Sequence, residues 1–363
     1  MMTQQFSPIS MVVWADTDNV GFYQRLCALL PKEIGLVALG GPRTGPLLQW
    51  GQEANLTVYD DCRQLIESHP RSIVLLGGNP GLPAEELAEL HKSAGVLAAS
   101  IVPMAKLELW AAYQRALQGR SGGAGLELVP GFLRSPGWTR AVNPQETLGP
   151  LRSMVFLSQG RRTDGSLGFR LMDAWMTLLS MGSMPETVDA SFVSVNEKSG
   201  TNLEDLTGHL HVHIKFAEPM SAVMELTDQA AVSQRSIHLL GEQGQCYADD
   251  FSYRLHGIDG KLIDELIRSR KSRKTAKGKS ASMEQEEEDW LRLMAEDLVR
   301  TGNLEAKGTG SDRSGLMYGQ ALCCASACLL SCKTGQAESP AKLWEIHVGS
   351  ASYPSAFSLT VPT

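Results

Sequence analysis

Two hydrophobic periods alternate along the first third of the chain. Short apolar runs at residues 11–15, 35–39, 72–77 and 96–101 read as strands. Between and after them lie helical spacings at 22–30, 45–54, 62–68, 84–93 and 107–117. This alternation predicts a parallel sheet with right-handed crossovers. Past a glycine-rich break at 119–125 the pattern changes. Leu210, Val212, Ile214 and Phe216 point one way while His209, His211, His213 and Lys215 point the other, the period of an antiparallel sheet covered on one face. Further strands are expected at 151–158, 188–196, 222–227, 235–240 and 245–249, with a hairpin turn at 241–244 and a helix at 169–181. A helical period at 287–301, a cysteine-bearing helix at 310–335 and a last short strand at 343–349 complete the reading. The expected fold is α/β, a doubly wound parallel sheet over 1–125 followed by an α+β domain with a large, mainly antiparallel sheet over 126–348. The 310–335 helix is expected to pack back on the first domain.

The first strand-to-helix turn carries the most informative residues. The run Val12-Val13-Trp14-Ala15-Asp16-Thr17-Asp18-Asn19-Val20-Gly21 lies where a dinucleotide-binding chain carries GxGxxG. There the first glycine permits a tight turn, and the second lets backbone amides approach a pyrophosphate at the helix amino terminus. Aligned on Gly21, those two places hold Asp16 and Asp18. A carboxylate adds a side chain and sets negative charge against negative charge, about 4 kcal/mol for a pair roughly 4 Å apart at an effective dielectric of about 20. The alternative is an ordinary polar turn in which Asp caps the helix. Neither reading supplies a phosphate cradle.

Composition narrows the class. With 363 residues, 43% hydrophobic and 20% charged, the chain has core enough for two domains. A net charge of −7 argues against a nucleic-acid partner. No run approaches roughly 18 uninterrupted apolar residues and no signal peptide opens the chain, so no membrane partner and a cytoplasmic location are expected. The seven cysteines lack paired spacing. Cys324, Cys328 and Cys332 share one helical face beside Cys323, among alanines and leucines that read as a buried helix rather than a metal site. The segment 268–288, RSRKSRKTAKGKSASMEQEEE, separates its charges by sign and is expected to be a mobile surface insertion.

In this order the features resemble the glucose-fructose oxidoreductase, inositol dehydrogenase and rhizopine-catabolism (Gfo/Idh/MocA) family, from residue 11 to about residue 348. Residues 36–61 look like that family's second strand, helix and tyrosine-aspartate loop, and 130–138 (PGFLRSPGW) like the strand after its Rossmann domain, with Arg134 in the substrate pocket. Residues 185–191 and 235–249 look like its substrate-domain sheet.

The resemblance implies a Rossmann-like first domain and an NAD(P)-dependent oxidoreductase acting on a sugar or polyol. It also locates the departures. The family's nicotinamide-lining segment corresponds to Gly78-Asn79-Pro80-Gly81-Leu82-Pro83, without its histidine, and the Glu-Lys-Pro triplet to Ile101-Val102-Pro103, so Val102 replaces the catalytic lysine. The catalytic histidine place is held by Asp173, and a nearby carboxylate place by Met176. Valine cannot exchange a proton, and a carboxyl with an ordinary pKa of about 3.9 is a poor general acid near neutrality. Asp173 stays a candidate base on a different substrate. Gly21, Asn79 and Arg43 are the candidate cofactor contacts, Arg43 facing the 2′-phosphate of NADP, while Asp16 and Asp18 oppose binding.

His209, His211 and His213 can reach a common point, and His-x-His is a zinc geometry, with Asp205 or Glu225 as completing carboxylates. In the resembling family this outer sheet face commonly joins subunits, so a homo-oligomer contact is expected there and no metal. Two functions follow. One is a non-catalytic binding, scaffold or regulatory protein with no NAD or NADP in the usual mode, taking a small-molecule ligand in an interdomain cleft or a protein partner. The other is a divergent NAD(P)-dependent oxidoreductase.

Overall fold

The computed structural model describes residues 9–117, 126–141, 144–182, 184–194, 202–267, 280–306 and 312–349. They fall into two compact units. The first comprises Met1–Met104, Leu109–Gly131 and Glu284–Leu316, and the second Ala105–Glu108, Phe132–Met283 and Met317–Thr363.

The first unit is built on a six-stranded parallel sheet of β1 (Ile9–Trp14), β2 (Ile34–Gly40), β3 (Thr57–Tyr59), β4 (Ile73–Leu76), β5 (Val96–Ala99) and β6 (Leu126–Leu128). Its order is β3-β2-β1-β4-β5-β6, the doubly wound arrangement. The connecting helices are α1 (Val20–Ala28), α2 (Gly45–Ala54), α3 (Cys62–Ser68), α4 (Ala84–His91) and α5 (Leu107–Leu117). Strands β1, β4 and β5 are buried on both faces, as expected of a sheet sandwiched by helices. Between α4 and α5 the rings of His91 and Tyr113 stack and hydrogen-bond through Nδ1, while the imidazole Nε2 is buried without a partner.

The second unit carries an eight-stranded sheet. Its strands are β7 (Leu151–Arg161), β8 (Thr187–Ser194), β9 (Gly208–Lys215), β10 (Ser221–Thr227), β11 (Gln229–Gly241), β12 (Gly244–Asp249), β13 (Tyr253–Gly257) and β14 (Leu262–Leu266). The order is β14-β13-β12-β11-β7-β10-β9-β8, antiparallel except where β10 pairs with β7. The short helices α6 (Pro136–Arg140) and α7 (Pro144–Leu148) precede it. Helix α8 (Leu167–Met181) packs on β7 and β10 and is buried almost all round. Three more helices close the chain: α9 (Ser280–Ala306), α10 (Asp312–Thr334) and α11 (Pro340–His347).

Two expectations are corrected. Residues 343–349 are not a strand: Pro340 at the first turn starts α11, and Trp344 is its buried residue. Residues 130–138 are not a strand either. A cis Val129–Pro130 bond leads into a 3-10 turn, Phe132–Arg134, and Ser135 caps α6 by accepting the Trp138 amide. The acidic half of the expected insertion, from Ser280, belongs to α9, while 268–279 lies outside the described residues. Strands β3, β6, β13 and β14 were not foreseen; the first two have three residues each.

The His91 pair generates a pH prediction. Burial lowers the His91 imidazole from its ordinary range to about 4. The stability it contributes is therefore complete above the unfolded value of about 6.5 and is lost as pH falls toward about 4. Between pH 7 and pH 5 urea denaturation should show the protein losing about 2 kcal/mol more than its His91→Phe variant. Equal losses would show that this imidazole does not couple folding to protons.

Candidate functional site

In a doubly wound sheet, ligands settle at the carboxyl ends of the strands where the winding reverses, here between β1 and β4. Strand β1 ends at Trp14, and β4 runs into Gly77-Gly78-Asn79. The two are tied by the Gly77 amide, which donates to the Trp14 carbonyl at 2.7 Å, and by the Trp14 indole, which donates to the Asn79 carbonyl at 3.4 Å.

The chain's own side chains fill this position. A Cβ built on Gly78 would lie 2.4 Å from the Asp16 carboxyl carbon, and one on Gly77 would lie 2.1 Å from the Tyr23 ring. Both glycines are therefore bare so that Asp16 and Tyr23 can lie against them. The Asn79 amide donates to the Asp16 carboxylate. Burial raises the Asp16 carboxyl above its ordinary value; the Asn79 amide works against that shift, and the Asp18 charge adds to it. The Tyr23 hydroxyl donates to the Gly77 carbonyl at 3.3 Å and shares a 2.6 Å hydrogen bond with Ser100.

The alternative role for Asp16, as a helix cap, is not what its carboxylate does. Residues Thr17–Asn19 form a 3-10 turn before α1, and neither Asp16 nor Asn19 makes a side-chain cap hydrogen bond. Asp18 is exposed. Gly21 lies on the exposed side of α1, where a Cβ would meet nothing within 4 Å, so no close helix-strand approach requires a glycine there. The Arg43 guanidinium is engaged by Asp60 at 2.9 Å. The Asn79 side chain accepts the Gly81 amide at 2.9 Å, closing a turn. Val102 is a core residue, 5% exposed.

In the second unit Asp173 projects from α8 into a dry ion-pair cluster. One carboxylate oxygen accepts the Arg235 guanidinium at 2.8 Å, and the other accepts the Phe132 amide at 2.9 Å. Arg235 continues to Asp250 through Nη2 at 2.6 Å and Nε at 3.0 Å, and its guanidinium lies 5.6 Å from the centre of the Phe132 ring. Burial alone would lower Arg235, but Asp250 and Asp173 outweigh it and hold the guanidinium above its ordinary value. Asp173, Arg235 and Asp250 are all less than 5% exposed.

Arg170, one turn earlier on α8, donates to the Gly165, Gln159 and Arg161 carbonyls and to the Ser158 hydroxyl at 3.1–3.3 Å. Gly160 makes room for it, since a Cβ there would lie 2.2 Å from Nη2. Burial and the neighbouring Arg235 pull Arg170 down to about 10, still charged at neutral pH. Arg134 is partly exposed at the end of its 3-10 turn, and Met176 is buried.

The histidines lie where their period put them. His209, His211 and His213 are exposed on the open face of β9, and Glu225 of β10 stands opposite His211 with a 3.9 Å separation. Asp205 lies outside the strand, in the turn before β9. Among the described residues no three His, Cys, Asp or Glu side chains are grouped to hold a metal ion. Cys323, Cys324 and Cys328 are buried within α10, and burial pushes the Cys323 thiol up to about 12.

No family model and no curated protein matches the chain by sequence. Solved structures share its fold. An oxidoreductase from Agrobacterium radiobacter, in complex with NAD+, L-tartaric acid and magnesium, aligns with a TM-score of 0.65 at 12% identity, covering 93% of this chain and 100% of that one. The WlbA dehydrogenase from Bordetella pertussis, with NADH and UDP-GlcNAcA, aligns at 0.64 and 11%, covering 93% and 99%. Biliverdin reductase from Synechocystis, with biliverdin and NADP+, aligns at 0.62 and 13%, covering 90% and 100%. At such identities the likeness is one of fold and extends no further.

The buried cluster predicts a structural role for Asp173. Arg235→Met leaves two carboxylates buried without their cation and should cost about 3–5 kcal/mol in urea denaturation. Asp173→Asn should lose a smaller part of that stability. A neutral Asp173→Asn would show that the carboxylate is not held for the fold.

Proposed function

We propose that this chain is a divergent relative of the Gfo/Idh/MocA proteins that acts as a binding, scaffold or regulatory subunit rather than as a conventional NAD(P)-dependent dehydrogenase. One observation carries the reading: the Asp16 carboxylate lies on Gly78 at the switch point, where a dinucleotide's diphosphate needs bare amides. The residues there do not fit that group. Asp18 adds a second negative charge at the same turn.

The proton-transfer places support the same reading. Val102 carries no exchangeable proton, and Asp173 is committed to Arg235 and the Phe132 amide. The scaffold role rests on the open face of the eight-stranded sheet, which we read as a contact between copies of this chain. Val155, Leu240 and Tyr247 are exposed on it among polar neighbours.

The second reading, an oxidoreductase of a sugar, polyol or related small molecule with unusual acid-base residues, is favoured by the strand order and by the coenzymes bound in the structural neighbours. The two readings separate on binding. Thermal-shift titration with NAD, NADH, NADP and NADPH should leave the melting temperature flat. An Asp16→Gly/Asp18→Gly variant should gain a saturable rise with at least one of them, because a ligand at about 100 times its Kd adds about 2.7 kcal/mol. A saturable rise in the unaltered protein would overturn the proposal and restore the oxidoreductase.

A further inference from the structure

A cavity of about 840 Å³ opens at the amino ends of β1, β4 and β5, and every residue that lines it belongs to the first unit. A doubly wound sheet receives its usual ligands at the opposite, carboxyl edge, so this cavity is no part of the switch point. We propose that it is a binding site for a phosphate monoester with an apolar body, whose phosphate is held by Arg71. The site uses none of the residues on which the reading of the switch point rests.

The chemistry of the lining selects the ligand. Arg71 and Lys92 contribute two cations, and among the described residues no carboxylate lines the cavity, although the chain as a whole carries a net charge of −7. Lys92 is paired with Glu89, which is not a lining residue, while Arg71 is held in no ion pair among the described residues. Ser10 and Ser93 add hydroxyls that bond no other described group. A guanidinium fork, an ammonium and two hydroxyls offer donors to several oxygens of one dianion, which suits a phosphate monoester. A bare phosphate would fill little of the volume, and Pro70, Ile73 and Val96 offer an organic part an apolar wall.

The backbone at Arg71 gives a second, independent sign. Its φ is 61°, a left-handed conformation that disfavours a side chain and whose ordinary occupant is glycine or asparagine. The neighbouring loop holds it there: the Arg71 amide donates to the Ser93 carbonyl at 2.9 Å, and a Cβ built on Gly95 would lie 2.7 Å from the Arg71 carbonyl oxygen. The chain meets that close approach with a glycine at 95 yet keeps a long arginine at 71. Strain imposed on an unpaired cation that lines a cavity points to a side chain kept for what it binds.

Isothermal titration calorimetry with phenyl phosphate tests the site, with inorganic phosphate and phenol as comparisons. Phenyl phosphate should bind saturably, and each comparison should bind more weakly because it lacks the apolar body or the charge. Arg71→Gly should weaken phenyl phosphate at least about tenfold and melt no lower than the parent, since it removes the guanidinium and relieves the backbone together. Arg71→Asn, whose side chain also tolerates positive φ, should do the same. Neither substitution touches the turn at Asp16, so a loss in these variants assigns the binding to this cavity and leaves the dinucleotide test separate. No saturable binding of phenyl phosphate, equal binding of inorganic phosphate or phenol, or undiminished binding in either variant would overturn the proposal. So would variants that melt well below the parent, because Arg71 would then be kept for the fold.

Discussion

The carboxyl edge of a doubly wound sheet imposes one constraint that everything near it must meet. Where β1 and β4 diverge, backbone amides emerge into a crevice and require an acceptor. In this chain the acceptor is internal, the Asp16 carboxylate bonded to the Asn79 amide. The glycines after β4 accommodate it, Gly78 receiving Asp16 while Gly77 receives Tyr23. An anion arriving from solvent would meet a negative charge already in place, and Arg43, the candidate cation for it, is paired with Asp60.

The second unit shows the same economy with opposite charges. Helix α8 is buried almost all round, yet it carries Arg170 and Asp173. Such charges persist in a dry interior only when every one is paired and hydrogen-bonded, and removing one partner costs more than the pair gains. Asp250 and Asp173 bracket Arg235, while four oxygen acceptors surround Arg170. The network ties α8 to β7, to β11 and to the Phe132 turn. A carboxylate committed to so much internal geometry is a poor proton carrier, because changing its charge would strand a guanidinium.

Much of this was legible from residue spacing. The alternating periods gave the α/β order, and the period-two run at 209–216 gave both faces of β9. The turn at Asp16 showed its charges, but not that Gly78 on another strand's end would receive the Asp16 carboxylate, since contacts across a parallel sheet leave no local pattern. Arg235 left a readable sign: it shares the parity of Ile237 and Leu239, so a cation had to lie on the buried face and find a partner. Likewise Arg170 and Asp173 stand out inside an apolar helix. The error at 343–349 has a plain cause. A short apolar run fits strand and helix alike, and the deciding signal was Pro340, placed where a helix starts.

Likeness of fold at 11–13% identity is carried by backbone requirements rather than by reactive side chains. Gly77 and Gly78 illustrate the difference. A bare backbone at the switch point is needed wherever something must approach it closely, and glycine satisfies that need without specifying the visitor. A ligand and a side chain of the same protein are equivalent occupants as far as the sheet is concerned. The glycines therefore report that the crevice is filled, and only the neighbouring charge reports by what. Here the neighbour is an acid, the Asp16 carboxylate, which fills the space against Gly78 and sets a negative charge at the switch point.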